Sequence, residues 1–425
     1  MVDGWPTMTN IVLDSETVRA EVRAWVQESW NPELTVAQWW HILMEARWTV
    51  PSWPESALGR GYSTALARIV SDELRAAGAV GGPAGLGLLL AGPTIYTHGT
   101  LEQQERYLTT IVNGQEAWCQ LFSEPSAGSD LASLQTKAVR DGDEWVITGQ
   151  KVWTSGGAVA DLGMLLARTD PDAPKHKGIS YFALPMDQAG VDVRPLREMT
   201  GRALFSEVFI DEARVSNDAV IGGLNNGWAV ANTTLAFERA GLGGGGSGAG
   251  GAAFPGPKTG VLSTRVGDLV KSSGRSVQPS AFGGSFQLFS DLAKKLDRHS
   301  DPMIRQRLAE LYSLNEIGRF TSLRAKAARS SGKETGAIGN LSKLLMSRIT
   351  RLSRDLGPEI LGAEGMLMGP STTGGGVVQE MTLFAPAPSI YGGSDEIQKN
   401  IIGERGLGLA KEAFVAVNGR GEAIP

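Results

Sequence analysis

The fold is decided by the stretch Phe122-Ser123-Glu124-Pro125-Ser126-Ala127-Gly128-Ser129-Asp130, taken together with two others. It is followed by Lys151-Val152-Trp153-Thr154-Ser155 and, near the far end of the chain, by Ile390-Tyr391-Gly392-Gly393-Ser394-Asp395-Glu396-Ile397-Gln398. Alone, the first stretch predicts only a turn rich in small and capping residues. The three stretches in this order, over these distances, are typical of one architecture.

The character of the sequence changes twice along the chain, which predicts three domains. Residues 1–117 carry apolar side chains at helical spacing and predict an N-terminal helical domain. Residues 118–222 consist of short apolar segments between Gly, Asp and Pro, and predict a β-domain of about six to eight strands. Helical spacing returns over residues 223–425. The predicted fold class is α+β, with the sheet between two helical parts.

Two features of the last domain are visible in the sequence. A Gly-rich segment at about 243–286 holds few apolar residues, so we expect a flexible insertion that buries too little surface to order itself. Asp301-Pro302 predicts a helix start, because Asp caps helix N-termini and Pro is tolerated at the first helical position.

Composition excludes several classes of function. Among the 425 residues, 42% are hydrophobic and 20% are charged, which is ordinary for a globular protein with a sizeable core. The formal net charge of −5 argues against nucleic acid or a membrane as a partner. The single cysteine, Cys119, excludes intramolecular disulfides, and the first residues lack a secretory pattern. We therefore expect a cytoplasmic protein, and the sequence predicts no metal site.

Together, the three stretches resemble those of the acyl-CoA dehydrogenase family. The similarity extends over nearly all of residues 15–410 except about 243–286, and includes His98-Gly99-Thr100 and Gly227-Trp228. The resemblance implies an N-terminal helical domain, a flavin-binding β-domain and a C-terminal domain similar to a four-helix bundle. It also implies FAD as the cofactor, an acyl-CoA thioester as the substrate, and α,β-dehydrogenation with hydride transfer to flavin N5.

The resemblance assigns most of the flavin contacts to the β-domain. Phe122 and Ser123 would offer backbone and hydroxyl contacts to the edge of the isoalloxazine ring. Gly128 and Ser129 would form a turn where the backbone approaches the cofactor closely. Two residues follow on the second stretch: Trp153 would pack against the ring, and Ser155 would hydrogen-bond near N5.

The C-terminal stretches supply the remaining expected contacts to FAD, from Ser394, Glu396 and Gly362. Gly362 lies in Glu359–Ala363, where many relatives have Gln-x-x-Gly-Gly; an acid in place of the amide would repel a pyrophosphate unless its side chain points away. The Arg-x-x-Phe-Gly segment, whose Arg reaches the pyrophosphate in relatives, has no counterpart in a matching context. Candidate substitutes are Arg265, Arg275 and Lys294, so we expect the adenosine half of FAD to be held differently.

The usual base of the family is absent, because Tyr391 is followed by Gly392 where most relatives have Glu. Removal of the α-proton of a thioester needs a positioned carboxylate. A second family solution places a Glu before an Arg on the first C-terminal helix, and here Glu238-Arg239 occupy that position. Independently of the resemblance, the spacing puts Glu238 on an apolar helix stripe, where desolvation would raise its pKa toward the working pH. The alternative is a surface Glu paired with a neighbouring cation.

The same resemblance suggests how the substrate is held. The backbone N–H of Gly392 would supply the contact to the thioester oxygen, while Ser129, Arg239 and Tyr391 would border the substrate. Two adjacent glycines, Gly392 and Gly393, also enlarge the cavity in which a Glu would have stood. The sequence therefore predicts a branched, ring-bearing or otherwise bulky acyl group.

Three other functions compete with dehydrogenation. The chain could be an oxygen-using relative, either an oxidase or a monooxygenase, or a non-catalytic subunit of a hetero-oligomeric dehydrogenase. A DNA-associated member of the fold would need a basic surface that the sequence does not offer. For a dehydrogenase of fatty acid or lipid catabolism, the resemblance implies an electron-transfer flavoprotein as acceptor. It also implies a homo-oligomer, dimer or tetramer, with a hetero-oligomer as the alternative.

Overall fold

The computed structural model describes residues 14–243, 253–273, 286–331 and 336–411. Helices precede and follow a central mixed sheet along the chain, which confirms the predicted α+β class. The described residues form two units: residues 14–84, 104–116 and 253–273 make up the first, and the remaining ranges make up the second. This division differs from the proposed limits at 117 and 222, which stay a prediction.

The first unit is helical, and polar residues begin its helices. Asp14, Thr35 and Ser63 each accept a backbone N–H bond at the start of a helix. Apolar side chains of these helices form one core, which contains the buried indoles of Trp39 and Trp40. The helices are α1 (Ser15–Ser29), α2 (Val36–Glu45), α3 (Thr64–Ala76) and, from residue 104 on, α5 (Leu101–Val112).

The central part of the predicted flexible insertion is ordered, so that prediction was wrong for residues 253–273. These residues include helix α7 (Val266–Ser273), and Val266 is fully buried in the core of the first unit. The backbone N–H of Val266 donates to the Leu34 carbonyl at 2.9 Å. A few well-placed apolar side chains are enough to dock a segment whose average composition is poor in them. The other residues of the predicted insertion, 244–252 and 274–285, lie outside the described residues.

The second unit is built on a mixed sheet whose strands run in the order β6-β7-β3-β2-β4-β5-β8, with β1 paired in parallel to β4. Strands β4 and β5 are buried almost throughout, so they form the centre of this unit. The strands are β1 (Trp118–Leu121), β2 (Lys137–Asp141), β3 (Glu144–Ser155), β4 (Leu162–Arg168), β5 (Ile179–Pro185), β6 (Val191–Leu196), β7 (Phe205–Ser216) and β8 (Val220–Ile221).

Helices of the second unit pack on this sheet and on one another. Helix α6 contacts β5, α4 and α10, and α10 contacts α8, α9, α11 and α12. Asp301 caps α9 as expected, its carboxylate accepting the N–H of Met303 at 2.9 Å. Among the described residues no helix is both long and apolar enough to cross a bilayer. The helices are α4 (Gly92–His98), α6 (Gly227–Gly243), α8 (Phe286–Lys295), α9 (Pro302–Ser330), α10 (Ile338–Leu361), α11 (Val377–Phe384) and α12 (Asp395–Ile401).

Replacement of Val266 by Asp tests whether α7 belongs to the core of the first unit. A carboxylate in this fully buried position has no partner, so Val266→Asp should destabilise the unit by about 3 kcal/mol or more. Val270→Asp on the same helix is the control, since Val270 is 40% exposed. Thermal unfolding followed by circular dichroism should show a melting point lowered by about 5 °C or more for the first variant only. Equal melting points for the two variants would contradict the docking of α7.

Candidate active site

The residues after β1 begin the predicted flavin site. Phe122 buries its ring against Tyr181, with 6.0 Å between the ring centroids, so this residue has only its backbone to offer. The Ser123 carbonyl accepts the N–H of Val152 at 3.0 Å, which ties this segment to β3. The strand end is therefore held firmly, while the Ser123 side chain is only half-buried.

Gly128 and Ser129 lie exposed at the turn that follows. A Cβ atom added at Gly128 would meet no atom within 4 Å, so there is open space in front of this turn. The turn is anchored by Asp130, whose carboxylate accepts bonds from Ser133 and Lys175, the latter at 2.9 Å. Burial opposes ionisation of Asp130, but these two bonds outweigh it and lower the pKa of the carboxyl group.

A β-bulge in β3 presents Trp153 to solvent. The register between β3 and β7 shifts between Lys151 and Thr154, and Trp153 has φ 62°, which is uncommon for a non-glycine residue. Its side chain is 57% exposed and meets the Phe205 ring edge-on at 5.8 Å. Ser155 ends the same strand and is half-buried. Strained backbone that exposes a large aromatic side chain is a feature of ligand sites.

Glu238 lies on α6 beside β1, the strand that leads into the proposed flavin residues. The side-chain amide of Gln120, on β1, donates to Glu238 Oε2 at 3.3 Å. Burial raises the pKa of the Glu238 carboxyl group, and the Gln120 bond and the Arg239 charge oppose this only in part. Arg239 is also partly buried, which lowers the pKa of its guanidinium. The structure thus brings the proposed base next to β1, where its partner Gln120 lies two residues before Phe122 in the sequence.

The position of α6 is fixed by its own neighbours. At its first residue, Gly227, any Cβ atom would collide with the backbone of Ser180. Farther along, Thr233 bonds to the ring of His98 and Thr234 to Thr94, both at 2.8 Å. These contacts with β5 and α4 leave the helix little freedom to rotate.

Both glycines of the Tyr391-Gly392-Gly393 turn adopt left-handed backbone, with φ 62° and 81°. Gln398 holds the turn, because its side-chain amide donates to the Gly392 carbonyl at 2.6 Å and accepts from Asn340 at 2.6 Å. Burial raises the pKa of the Tyr391 hydroxyl to about 12, so this group stays protonated at neutral pH.

Ser394 and Glu396 lie at the start of α12. The Ser394 hydroxyl caps the helix by accepting the N–H of Ile397 at 3.4 Å. Glu396 is exposed in the first turn, where a carboxylate favours the helix dipole. Between them, Asp395 is buried and paired with Lys343 at 3.3 Å and Arg351 at 2.8 Å. Capping is therefore the observed role of Ser394, and the flavin contacts of Ser394 and Glu396 stay predictions.

In the segment around Gly362, the acid that replaces the usual amide, Glu359, has a cation as its partner. Glu359 pairs with Arg307 at 3.1 Å, which offsets its charge. Gly362 ends α10 with φ 60°, and a Cβ atom there would lie 3.7 Å from the guanidinium of Arg298. Arg298 is thus a cation at this turn that the sequence analysis missed.

The three proposed substitutes for the missing Arg fare differently. Arg265 belongs to the first unit and pairs with Glu33 at 2.7 Å. Lys294 is exposed in the last turn of α8, and Arg275 lies outside the described residues. Nothing in the contacts of Arg265 or Lys294 assigns either of them to a pyrophosphate.

Family models match about three quarters of the chain, in the order that the sequence predicts. The acyl-CoA dehydrogenase N-terminal domain matches residues 14–115, the middle domain 119–213, and the C-terminal domain 290–407. The chain belongs to the acyl-CoA dehydrogenase family. It is an oxidoreductase that acts on a CH–CH group of acyl-CoA.

Individual relatives agree with this assignment. The chain is 36% identical to acyl-CoA dehydrogenase IpdE1 of Mycobacterium tuberculosis (strain ATCC 25618 / H37Rv), over 94% of this chain and 99% of the relative. It resembles the solved Tcur3481-Tcur3483 steroid ACAD with 27% identity and a TM-score of 0.69, covering 94% of this chain and 98% of that one. The ChsE4-ChsE5 complex from Mycobacterium tuberculosis is similar at 26% identity and a TM-score of 0.67, covering 96% and 100%.

Two residues of the site carried no role in the sequence analysis. Gln120 bonds to Glu238, but the two residues lie 118 positions apart, and no spacing rule joins them. Lys151 was part of a quoted motif, yet nothing in its pattern indicated that its side chain is fully buried. The first motif offers two acids as partners for this lysine, Glu124 and Asp130, and the sequence does not distinguish between them.

Proposed function

We propose that the protein dehydrogenates acyl-CoA between Cα and Cβ with FAD as cofactor and Glu238 as the base that removes the α-proton. The observation that carries this proposal is the Glu238 carboxylate, partly buried on α6 and hydrogen-bonded to Gln120 at the flavin strand. When bound, FAD supplies the acceptor for the hydride that leaves Cβ. A carboxylate with a raised pKa is a suitable base because its affinity for a proton is closer to that of the substrate carbon acid.

The residues of the second unit fit a flavin. An exposed indole at Trp153, open space before Gly128 and half-buried hydroxyls at Ser123 and Ser155 offer an aromatic surface, a close backbone approach and hydrogen-bond donors. On this proposal Phe122, Ser123, Trp153 and Ser155 hold the ring. The other proposed FAD contacts come from Gly128, Ser129, Gly362, Ser394 and Glu396.

The substrate side of the proposal uses the Gly392 backbone, Ser129, Arg239 and Tyr391. Gly392 and Gly393 place no side chain beside Tyr391. The similar solved structure Tcur3481-Tcur3483 is named a steroid ACAD, and a steroid is a bulky ring system. We therefore propose a bulky, ring-bearing acyl group from lipid or steroid catabolism as the substrate. An electron-transfer flavoprotein is the proposed acceptor.

Replacement of Glu238 by Gln should slow reduction of the flavin by substrate. Loss of a general base costs about a hundred-fold or more in rate. In the wild type the rate of flavin reduction should fall at acid pH, since only the ionised carboxylate accepts a proton. The midpoint of this fall should lie at a higher pH than the ordinary pKa of Glu, because burial raises the pKa of Glu238. Anaerobic stopped-flow absorbance with ring-bearing acyl-CoA thioesters measures both effects.

The control for this experiment is Gln120→Leu, which keeps the carboxylate and removes its hydrogen bond. Because that bond favours the ionised form, the acid limb should move to higher pH in this variant. A Glu238→Gln protein that bleaches as fast as the wild type would rule out Glu238 as the base.

Replacement of Gly392 by Glu tests the predicted substrate. The new side chain would stand beside Tyr391, where Gly392 has none, so turnover of a ring-bearing thioester should fall about ten-fold or more relative to a short linear one. Steady-state kcat/KM values for the two substrates in both proteins give this ratio. Unchanged turnover of the bulky substrate would count against a ring-bearing acyl group.

The oligomeric state is proposed from the FAD segments and the neighbours. Neither cross-subunit motif is intact here, and two similar structures are named for pairs of chains, Tcur3481-Tcur3483 and ChsE4-ChsE5. We propose that this chain assembles with a second, different chain that completes the cofactor site.

Native mass spectrometry of the chain expressed alone should therefore find little bound FAD. The missing pyrophosphate contacts would then come from the other chain. A homotetramer that carries four FAD molecules would refute the need for a second chain.

A further inference from the structure

A buried ion pair lies directly behind the proposed flavin residues. Lys151 is fully buried in β3, and its ammonium donates to Glu124 Oε1 at 2.8 Å and to the Phe122 carbonyl at 3.1 Å. A buried ammonium is costly unless it is paired and hydrogen-bonded. The proposed reaction gives neither Lys151 nor Glu124 a role in bond making.

Glu124 closes the loop that carries the exposed turn. We call residues 124–136 the clamp loop, because the Glu124 carboxylate at its start accepts the N–H groups of Gln135 and Thr136 at its end, at 2.6 and 2.9 Å. Gly128 and Ser129 lie between these two points. A compact loop with its ends joined in this way depends on the joint for its shape.

A second buried cation supports the same loop from β4. Arg168 donates to the carbonyls of Ala132 and Leu134 at 2.6 and 3.4 Å, and its backbone N–H donates to Thr136 at 2.7 Å. Arg168 also lies within electrostatic reach of both Lys151 and Glu124. Lys151 is therefore faced by one acid from the clamp loop and one cation from β4.

Lys151 also neighbours the bulge that exposes Trp153. The register shift of β3 begins at Lys151, and the next residue, Val152, bonds to the Ser123 carbonyl at 3.0 Å. The Lys151 side chain thus contacts the end of β1 at Phe122 and, through Glu124, the point where the two ends of the clamp loop are joined.

We infer that Lys151 is a positioning residue for the flavin, which aligns the ring-edge segment at Phe122 and Ser123 with the clamp loop by its bonds to Phe122 and Glu124. This inference rests on the proposed function, since it takes FAD as the cofactor. It assigns no bond making to Lys151.

The first test compares flavin-free Lys151→Met and Glu124→Gln proteins with the wild type by amide hydrogen exchange. The amides of Gln135 and Thr136 should exchange at least about ten-fold faster in both variants, because their acceptor is displaced or weakened. Glu124→Gln keeps an acceptor oxygen and serves if Lys151→Met does not fold. Glu73→Gln is the matched control: Glu73 is a buried acid on α3 that pairs with Arg19 and Arg23 of α1, and neither helix carries a proposed site residue.

The second test titrates the same proteins with FAD in the presence of the proposed second chain, because the chain alone is expected to bind little FAD. Lys151→Met should bind FAD at least about ten-fold more weakly than the wild type, and Glu73→Gln should not. Burial lowers the pKa of Lys151 to about 8, so the ammonium loses its charge as the pH rises through that value. Wild-type affinity for FAD should therefore weaken from about pH 7 to about pH 9, and the affinity of Lys151→Met should stay constant.

The outcomes separate this inference from the proposed function. The inference alone would be overturned if the wild type binds FAD and the Lys151→Met protein has the same affinity for FAD, the same pH profile or unchanged amide exchange. The proposed function would then still stand. Wild-type protein that binds no FAD, with or without its partner chain, would overturn the proposed function and the flavin role of Lys151 together.

Discussion

The ammonium of Lys151 imposes the constraint on which the candidate site depends. A charge with no access to solvent must keep its partners, so Glu124 and the Phe122 carbonyl are held where they are. One set of bonds around Lys151 therefore connects the end of β1, the clamp loop and the part of β3 next to the bulge at Trp153. The first two motif stretches are thus physically linked: Phe122–Asp130 supplies the acid, Glu124, and Lys151–Ser155 supplies the cation.

The second constraint comes from α6. In this chain the turn after Tyr391 has no side chain to act as a base, and a carboxylate stands on a helix instead. A helix differs from a turn in being rigid, and α6 is fixed further by its contacts with β5 and α4. The carboxylate can therefore be partly desolvated without losing its orientation, because the Gln120 amide keeps one hydrogen bond to it.

Much of the architecture could be predicted from local pattern. Helix starts such as Asp301-Pro302 depend on neighbouring residues only, and the helix begins at Pro302 as expected. The position of Glu238 on a partly buried helix face also follows from spacing within one helix. Such signals are contained within a few turns of chain, and single sequences preserve them well.

The features that escaped prediction join distant parts of the chain. Residues 253–273 belong to a Gly-rich segment with few apolar residues, and only their docking shows that Val266 is a core residue. Lys151 and its partner Glu124 are 27 residues apart in sequence, and Glu238 and its partner Gln120 are 118 apart. No periodic pattern in the sequence can predict pairs over such distances. Buried polar pairs of this kind are decided by tertiary structure, because burial turns an ordinary surface residue into a structural one.

The close contact at Gly227 has a consequence for how this helix can vary. Each residue added to an α-helix advances it by about 1.5 Å and turns it by about 100°. Because Gly227 is pressed against Ser180, the phase of α6 is set at its first residue and carried to position 238. An insertion or deletion between these two points would swing the carboxylate away from Gln120, even if the helix remained intact. The length of this segment therefore matters as much to the proposed active site as the acid at its end.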